Sequence, residues 1–205
     1  MIIGITGGIG SGKSSLARLL VQRGAVLVDA DRIGHQVLDE PAVSAALVQV
    51  FGREIIDGRG QVVRKELGRL AFAGQEAFGA LTRIVQPALE PRLWQAVAAA
   101  EGPEKGRVVV VDAALIFEWG VQDRFDFIAV VDAPETLRRQ RAAARQGLSE
   151  AEVEKRMAWQ LPTAEKAARA HLVVSNAGTL GELEEAAARL WERIGRLAAE
   201  QGAGP

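Results

Sequence analysis

Residues 7–14 of this 205-residue chain are Gly7, Gly8, Ile9, Gly10, Ser11, Gly12, Lys13 and Ser14, which fit the phosphate-binding loop pattern G-x-x-x-x-G-K-[ST]. The flanks give the motif its context. Met1–Thr6 is a short apolar run of the kind that forms a buried strand, and from Ser15 apolar residues recur at helical spacing through Leu16, Leu19 and Leu20. A strand, a glycine loop and a helix N-terminus together bring backbone N–H groups and the positive end of a helix dipole to an anion. Glycines at Gly7, Gly10 and Gly12 allow left-handed backbone and close approach to phosphate oxygens. Lys13 is expected at the β- and γ-phosphates, with the Ser14 hydroxyl and Asp112 placed for Mg²⁺. Residues Gly7 to Ser15 are therefore the expected nucleoside-triphosphate site.

The remaining apolar runs define the sheet around this loop. Ala25–Asp29, Arg107–Asp112, Phe127–Asp132 and His171–Asn176 each read as a short strand ending in a polar residue. In open α/β sheets ligands lie beyond the carboxyl ends of the strands, so these terminal residues belong to the site. Four valines followed by Asp112 have the form of a central strand ending in the metal-side acid of a phosphate-loop enzyme. The next residues, Ala113 through Glu118, carry a second acid into the same region, with Leu115 between. Asp29 and Asp31, two apart, would project to one side of an extended chain, where a carboxylate can hold Mg²⁺ through water or accept a hydroxyl proton. The alternative is that one of them, Asp31 by preference, caps a helix beginning at Arg32. Asn176, just past the last strand, offers an amide donor and acceptor suited to an adenine edge.

Two helical segments interrupt the strands. Residues 41–101 carry four helical patterns, Ala42–Phe51, Arg64–Phe72, Glu76–Val85 and Ala88–Ala100, the last two divided at Pro87. This insertion is far longer than a crossover requires and predicts an acceptor-substrate region, with Arg53, Arg64 and Lys65 available to an anionic acceptor or simply solvated. Residues 135–168 are helical and arginine-rich. Arg138, Arg139, Arg141, Arg145 and Arg156 suggest a lid closing over the triphosphate, and Arg141 and Arg145, four apart, share a face. The alternative is a surface helix paired with Glu150, Glu152 and Glu154. The final stripe, Leu183, Ala187, Leu190, Ile194 and Leu197, is a core-packing amphipathic helix.

The expected fold is thus α/β, a three-layer kinase-like arrangement with a five-stranded parallel sheet. Residues 1–40, 102–134 and 169–205 form the nucleotide core, 41–101 the acceptor region and 135–168 the lid. Composition excludes several other classes. With 25 Lys+Arg against 26 Asp+Glu the net charge is −1, which argues against a dedicated nucleic-acid binder. There is no cysteine, hence no disulfide framework and no thiolate metal site. The N-terminus enters the first strand directly, and no apolar run has the length of a membrane span, so a cytoplasmic protein without a membrane partner is expected.

The chain resembles the dephospho-coenzyme A kinases from Ile3 to about Gly178. The resemblance is carried by the Ile5–Ser14 loop, Val28-Asp29-Ala30-Asp31, Phe51-Gly52, Asp57-Gly58 ahead of Arg64, Leu67-Gly68, Asp112 with Leu115-Ile116-Phe117-Glu118, Arg141 and Arg145, Gln160-Leu161-Pro162, and Ser175 to Gly178. It departs at Ala114, where proline is usual, at Gln86, where histidine is common, and at His171, where an acid is usual. The resemblance implies ATP-dependent phosphorylation of the ribose 3′-hydroxyl of dephospho-coenzyme A, giving coenzyme A and ADP, by a monomer or weak homo-oligomer. It implies Lys13, Asp31 and Arg141 as catalytic groups, with Asp31 orienting or deprotonating the hydroxyl. Arg141 and Arg145 would face ATP, Asn176 its adenine, and Asp29, Asp31, Arg64, Lys65, Leu115 and Glu118 the acceptor. A nucleotide-dependent switch is a competing class: Asp31-Arg32-Ile33-Gly34 matches D-x-x-G, but it follows Ser14 too closely, and no Asn-Lys-x-Asp guanine-reading sequence occurs. A kinase for another small metabolite and a non-catalytic nucleotide-binding module are further alternatives.

Overall fold

Five short strands, β1 (Ile2–Thr6), β2 (Val26–Asp29), β3 (Val109–Asp112), β4 (Phe127–Asp132) and β5 (Leu172–Ser175), form one parallel sheet in the order β2-β3-β1-β4-β5. The computed structural model describes residues 1–102, 106–146 and 149–202, without the side chains of Arg145, Gln146 and Gln201. The central strands are buried on both faces, which is why they are nearly continuous runs of β-branched residues. Their side chains alternate accordingly. Val110, Phe127, Ala129 and Val131 enter one cluster with Leu16 and Leu20 of α1 (Lys13–Val21) and Leu190 and Ile194 of α9 (Leu180–Gly202). Val109, Val111, Ile128 and Val130 enter a second, on the opposite face.

The 41–101 segment has its own apolar cluster. It holds Val43, Leu47 and Phe51 of α3 (Pro41–Phe51), Leu67 and Ala71 of α4 (Arg64–Ala71), and Val37 of α2 (Ala30–Leu38). The expected break at Pro87 is absent: α5 is one helix, Gln75–Glu101, with Pro87 and Pro91 inside it. Each proline removes one helix donor, leaving the carbonyls of Arg83 and Pro87 without it. Arg83, Pro87 and Pro91 are all exposed, so water can meet those carbonyls, while Leu89, Leu93 and Val97 hold the opposite face in the core. The tertiary burial of that face outweighs the local cost.

Beyond β4 come α6 (Glu135–Gln146), α7 (Glu150–Ala158), opened by a Ser149–Glu152 capping box, and the short α8 (Thr163–Arg169). No helix among the described residues is long and apolar enough to cross a membrane.

Candidate active site

The carboxyl ends of β2, β3 and β1 come into line, because Asp29 registers with Asp112 and Asp112 with Ile5. The phosphate loop leaves β1 at that edge. Gly10 and Gly12 take φ of 75° and 95°, and both positions are tightly enclosed. A Cβ on Gly10 would strike the Arg138 carbonyl, and one on Gly12 would strike the Asn176 carboxamide. Only glycine suits either place. The Ser11 amide donates to the Gly8 carbonyl at 3.0 Å, closing a turn over Ile9 and Gly10. Ser15, expected to extend the site, lies in the first turn of α1, where its amide donates to the Gly12 carbonyl at 2.9 Å.

Lys13 sits between two acids. Its Nζ is 2.9 Å from Asp112 Oδ1 and 3.2 Å from Asp31 Oδ2. Burial by itself lowers the Lys13 pKa, but Asp31 and Asp112 together outweigh it and raise the group above its ordinary 10.5. The two acids differ sharply in setting: the Asp112 side chain is 4% exposed and that of Asp31 61%. Asp31 is thus reachable by a second substrate, while Asp112 is enclosed at the sheet end.

Helix α2 begins at Ala30, and its cap is Asp29, whose Oδ1 accepts from the Arg32 amide at 2.9 Å. This corrects two expectations. Asp31 is not the cap, and the two acids do not project from one extended segment, because the chain turns helical between them. An Asp at the N-cap satisfies an otherwise orphaned donor, and Asp29 Oδ1 fills that place at the start of α2.

Asn176 is bound to the loop itself. Its Nδ2 donates to the Ser11 carbonyl at 2.7 Å, and the residue is 8% exposed. Arg141 Nη1 in turn donates to the Asn176 carbonyl at 2.9 Å, tying α6 to the end of β5. The side chain of Arg145 lies outside the described residues.

The surface-helix and lid readings of the arginine run divide between faces. Arg139 pairs with Glu135 at 2.7 Å and Glu154 at 3.8 Å on the outside. Arg138 faces the loop, its Nε donating to the Ala133 carbonyl at 3.2 Å and its guanidinium lying against Gly8. In the sequence Arg138 stands out only as part of the run. The available signal was its i, i+3 relation to Arg141, which puts both on the loop side.

Glu118 bonds through one oxygen to α8 and to the segment before it. Its Oε1 lies 2.7 Å from Lys166 Nζ and accepts from the Leu161 amide at 2.9 Å. Lys166, 0% exposed, also donates to the Ala114 carbonyl at 2.7 Å. Burial pushes the Lys166 ammonium below its ordinary 10.5 by more than the Glu118 pair restores. Lys166 was missed because a lysine in a short charged helix reads as a solvated group. Leu115 lies half-buried in the turn after β3, its carbonyl accepting from the Trp119 amide. Arg64 and Lys65 open α4 with exposed side chains and make no ion pair among the described residues. The structure therefore joins the loop, Asp31, Asp112, Asn176 and Arg141 by direct bonds, and Arg64 and Lys65 make no hydrogen bond or ion pair with them among the described residues.

A parallel sheet with a phosphate loop at its switch point, a lysine held by two strand-end acids and an arginine-bearing helix over the loop define a phosphate-loop phosphotransferase. The family model for dephospho-CoA kinase matches residues 1–182. Curated dephospho-CoA kinases include one from Corynebacterium diphtheriae, 39% identical over 94% of this chain and 96% of its own length, and one from Geobacter sulfurreducens, 40% identical over 94% and 98%. A solved Thermus thermophilus protein superposes with a TM-score of 0.76 at 35% identity, covering 94% of this chain and 97% of its own. A solved dephospho-CoA kinase from Campylobacter jejuni, 22% identical, shares the fold with a TM-score of 0.69 over 95% and 97%. The chain belongs to the dephospho-CoA kinase family and is a kinase of the last step of coenzyme A biosynthesis.

Proposed function

We propose that the chain transfers the γ-phosphoryl group of ATP to the ribose 3′-hydroxyl of dephospho-coenzyme A at the cleft between Lys13, Asp31 and Asp112. The observation that carries this is the pair of contacts at Lys13 Nζ, 2.9 Å to a buried acid and 3.2 Å to an accessible one. A lysine so held is set to shift onto phosphate oxygens, and an accessible carboxylate beside it is set to receive a hydroxyl. Asp31 orients the 3′-hydroxyl and accepts its proton as the hydroxyl oxygen bonds to the γ-phosphorus and the bond from that phosphorus to the bridging oxygen breaks, releasing ADP. Arg138 and Arg141 stabilise charge on the transferring group from the α6 side.

Mg²⁺ fits the donor set. Asp112 is a single enclosed carboxylate at the end of the strand paired to β1, and Ser14 follows Lys13 at the start of α1. An all-oxygen set with one carboxylate suits a cation that keeps several waters and takes the rest of its shell from phosphates. Ser14 and Asp112 would hold it. When bound it neutralises charge on the β- and γ-phosphates.

Residues 41–101 hold the acceptor, with Arg64 and Lys65 meeting its anionic groups, and residues 135–168 serve as a lid. The protein works as a cytoplasmic monomer or weak homo-oligomer without a nucleic-acid or membrane partner, and the net charge of −1 agrees with the lack of a nucleic-acid partner. An ADP-release assay with ATP, Mg²⁺ and a panel of acceptors tests the phosphoryl transfer. Rapid turnover with dephospho-coenzyme A, and little with AMP, CMP or shikimate, is expected. Turnover with another acceptor alone would overturn the acceptor assignment and keep the kinase core.

A further inference from the structure

Three consecutive residues between α7 and α8 reach three different parts of the molecule. Trp159 reaches the helical region: its ring stacks on Phe78 with centroids 5.4 Å apart, Phe78 stacks on Phe72 at 5.6 Å, and its Nε1 donates to the Phe72 carbonyl at 3.4 Å. Gln160 reaches the phosphate loop, where its Oε1 accepts from the Ile9 amide at 2.8 Å. Leu161 reaches the turn after β3 through its bond to Glu118. Pro162 follows and, by restricting its own φ and the residue before it, keeps this strap from continuing as helix.

The phosphate loop is thus held by two carboxamides. Asn176 grips the Ser11 carbonyl from β5, and Gln160 grips the Ile9 amide from the strap. These bonds fall on Ile9 and Ser11, within and at the end of the turn that the Ser11 amide closes on the Gly8 carbonyl. The chemistry of the second grip is selective. A backbone N–H requires an acceptor, so the Gln160 oxygen must face Ile9. A glutamate would accept the same bond while placing a negative charge beside a loop built for anions. The amide supplies the acceptor without that charge, and its nitrogen makes no hydrogen bond among the described residues.

We propose that Gln160 is a positioning residue of the phosphate loop, and that the Trp159 stack makes its position depend on the acceptor-side helices. Nucleotide affinity and acceptor affinity are then coupled through residues 159–161. The coupling is reciprocal, as any equilibrium linkage must be. The inference rests on the loop being the ATP phosphate site.

The test is titration calorimetry with a non-hydrolysable β,γ-imido ATP and Mg²⁺, with and without dephospho-coenzyme A, on wild type, Q160A, Q160E and W159L. Wild type should bind the analogue more tightly when the acceptor is present. Q160A should weaken analogue binding about tenfold, the scale of one lost hydrogen bond at a charged ligand site, and remove the acceptor effect. Q160E should restore the melting temperature, because it keeps the acceptor for Ile9, but should bind the triphosphate analogue more weakly still. W159L should keep affinity for the analogue alone within about twofold and lose the acceptor effect. Analogue affinity unchanged in both Gln160 variants would overturn the positioning role. An acceptor effect absent from wild type, or intact in W159L, would overturn the coupling. Failure of wild type to bind the analogue at all would instead remove the phosphate-loop assignment, and this inference with it.

Discussion

The division of labour between Asp31 and Asp112 turns on exposure. Both touch Lys13, yet only Asp31 has most of its side chain open, at 61% against 4%. Asp31→Asn removes a proton acceptor while keeping shape and leaving no buried charge. Its kcat is expected to fall about 100-fold, the lower end for a positioned general base, with little change in melting temperature. Near-normal turnover in a folded variant would take Asp31 out of catalysis. Lys13 itself titrates in a predictable direction. Its folded pKa is raised, so the stability it contributes is fully present below 10.5 and is lost as pH rises through the raised value. The stability gap between wild type and Lys13→Met, read from urea unfolding, should therefore be flat through neutral pH and narrow only above about pH 10.5. A gap that narrowed between pH 6 and 8 would mean that another group, not the Lys13 ammonium, sets it.

At the scale of elements, α8 is fastened to the turn after β3 by a buried ion pair, and the two halves of that pair are unequal partners. Lys166 is held at a cost, its ammonium pushed down by burial, and removing it alone strands Glu118. Lys166→Met should destabilise the chain by about 3 kcal/mol, whereas Lys166→Met with Glu118→Gln should recover most of that loss. Equal destabilisation in single and double variants would show that the bond to the Ala114 carbonyl, not the charge pair, is what matters. Elements such as this one were the least legible in the sequence. The strands and the loop could be read because β-branched runs ending in acids, and glycines at fixed intervals, each have one local physical cause. Helix α5 was misread at Pro87 because the exposure that makes an internal proline tolerable is a tertiary fact. Asp29 and Asp31 exchanged the capping role because the helix began two residues early, a shift that propensity does not resolve. Asn176, Glu118 and Gln160 bond across more than forty residues of chain, so nothing in their neighbourhoods announces the partner.

At the scale of the whole molecule, the helical insertion is not an independent unit, and α5 is the reason. Leu89 belongs to the cluster shared by α2, α3 and α4, while Leu93 and Val97, one and two turns further, belong to the cluster under the sheet. Ile33 and Trp119 pack against both clusters. A helix that spans two cores transmits the loss of either to the other, since unravelling one end removes the template for the next turn. Wild type is therefore expected to unfold in one transition, with far-UV circular dichroism and tryptophan fluorescence coincident. Leu89→Ala and Leu93→Ala make the same chemical change in the two clusters, and each should lower stability by about 3 kcal/mol. Both should shift the single transition to lower temperature by similar amounts. A Leu89→Ala chain that lost only part of its signal early, with the main transition unmoved, would show the helices of residues 41–101 melting on their own. In that case this segment could order and disorder without the sheet, and rigid communication along α5 would give way to the contacts made by Trp159.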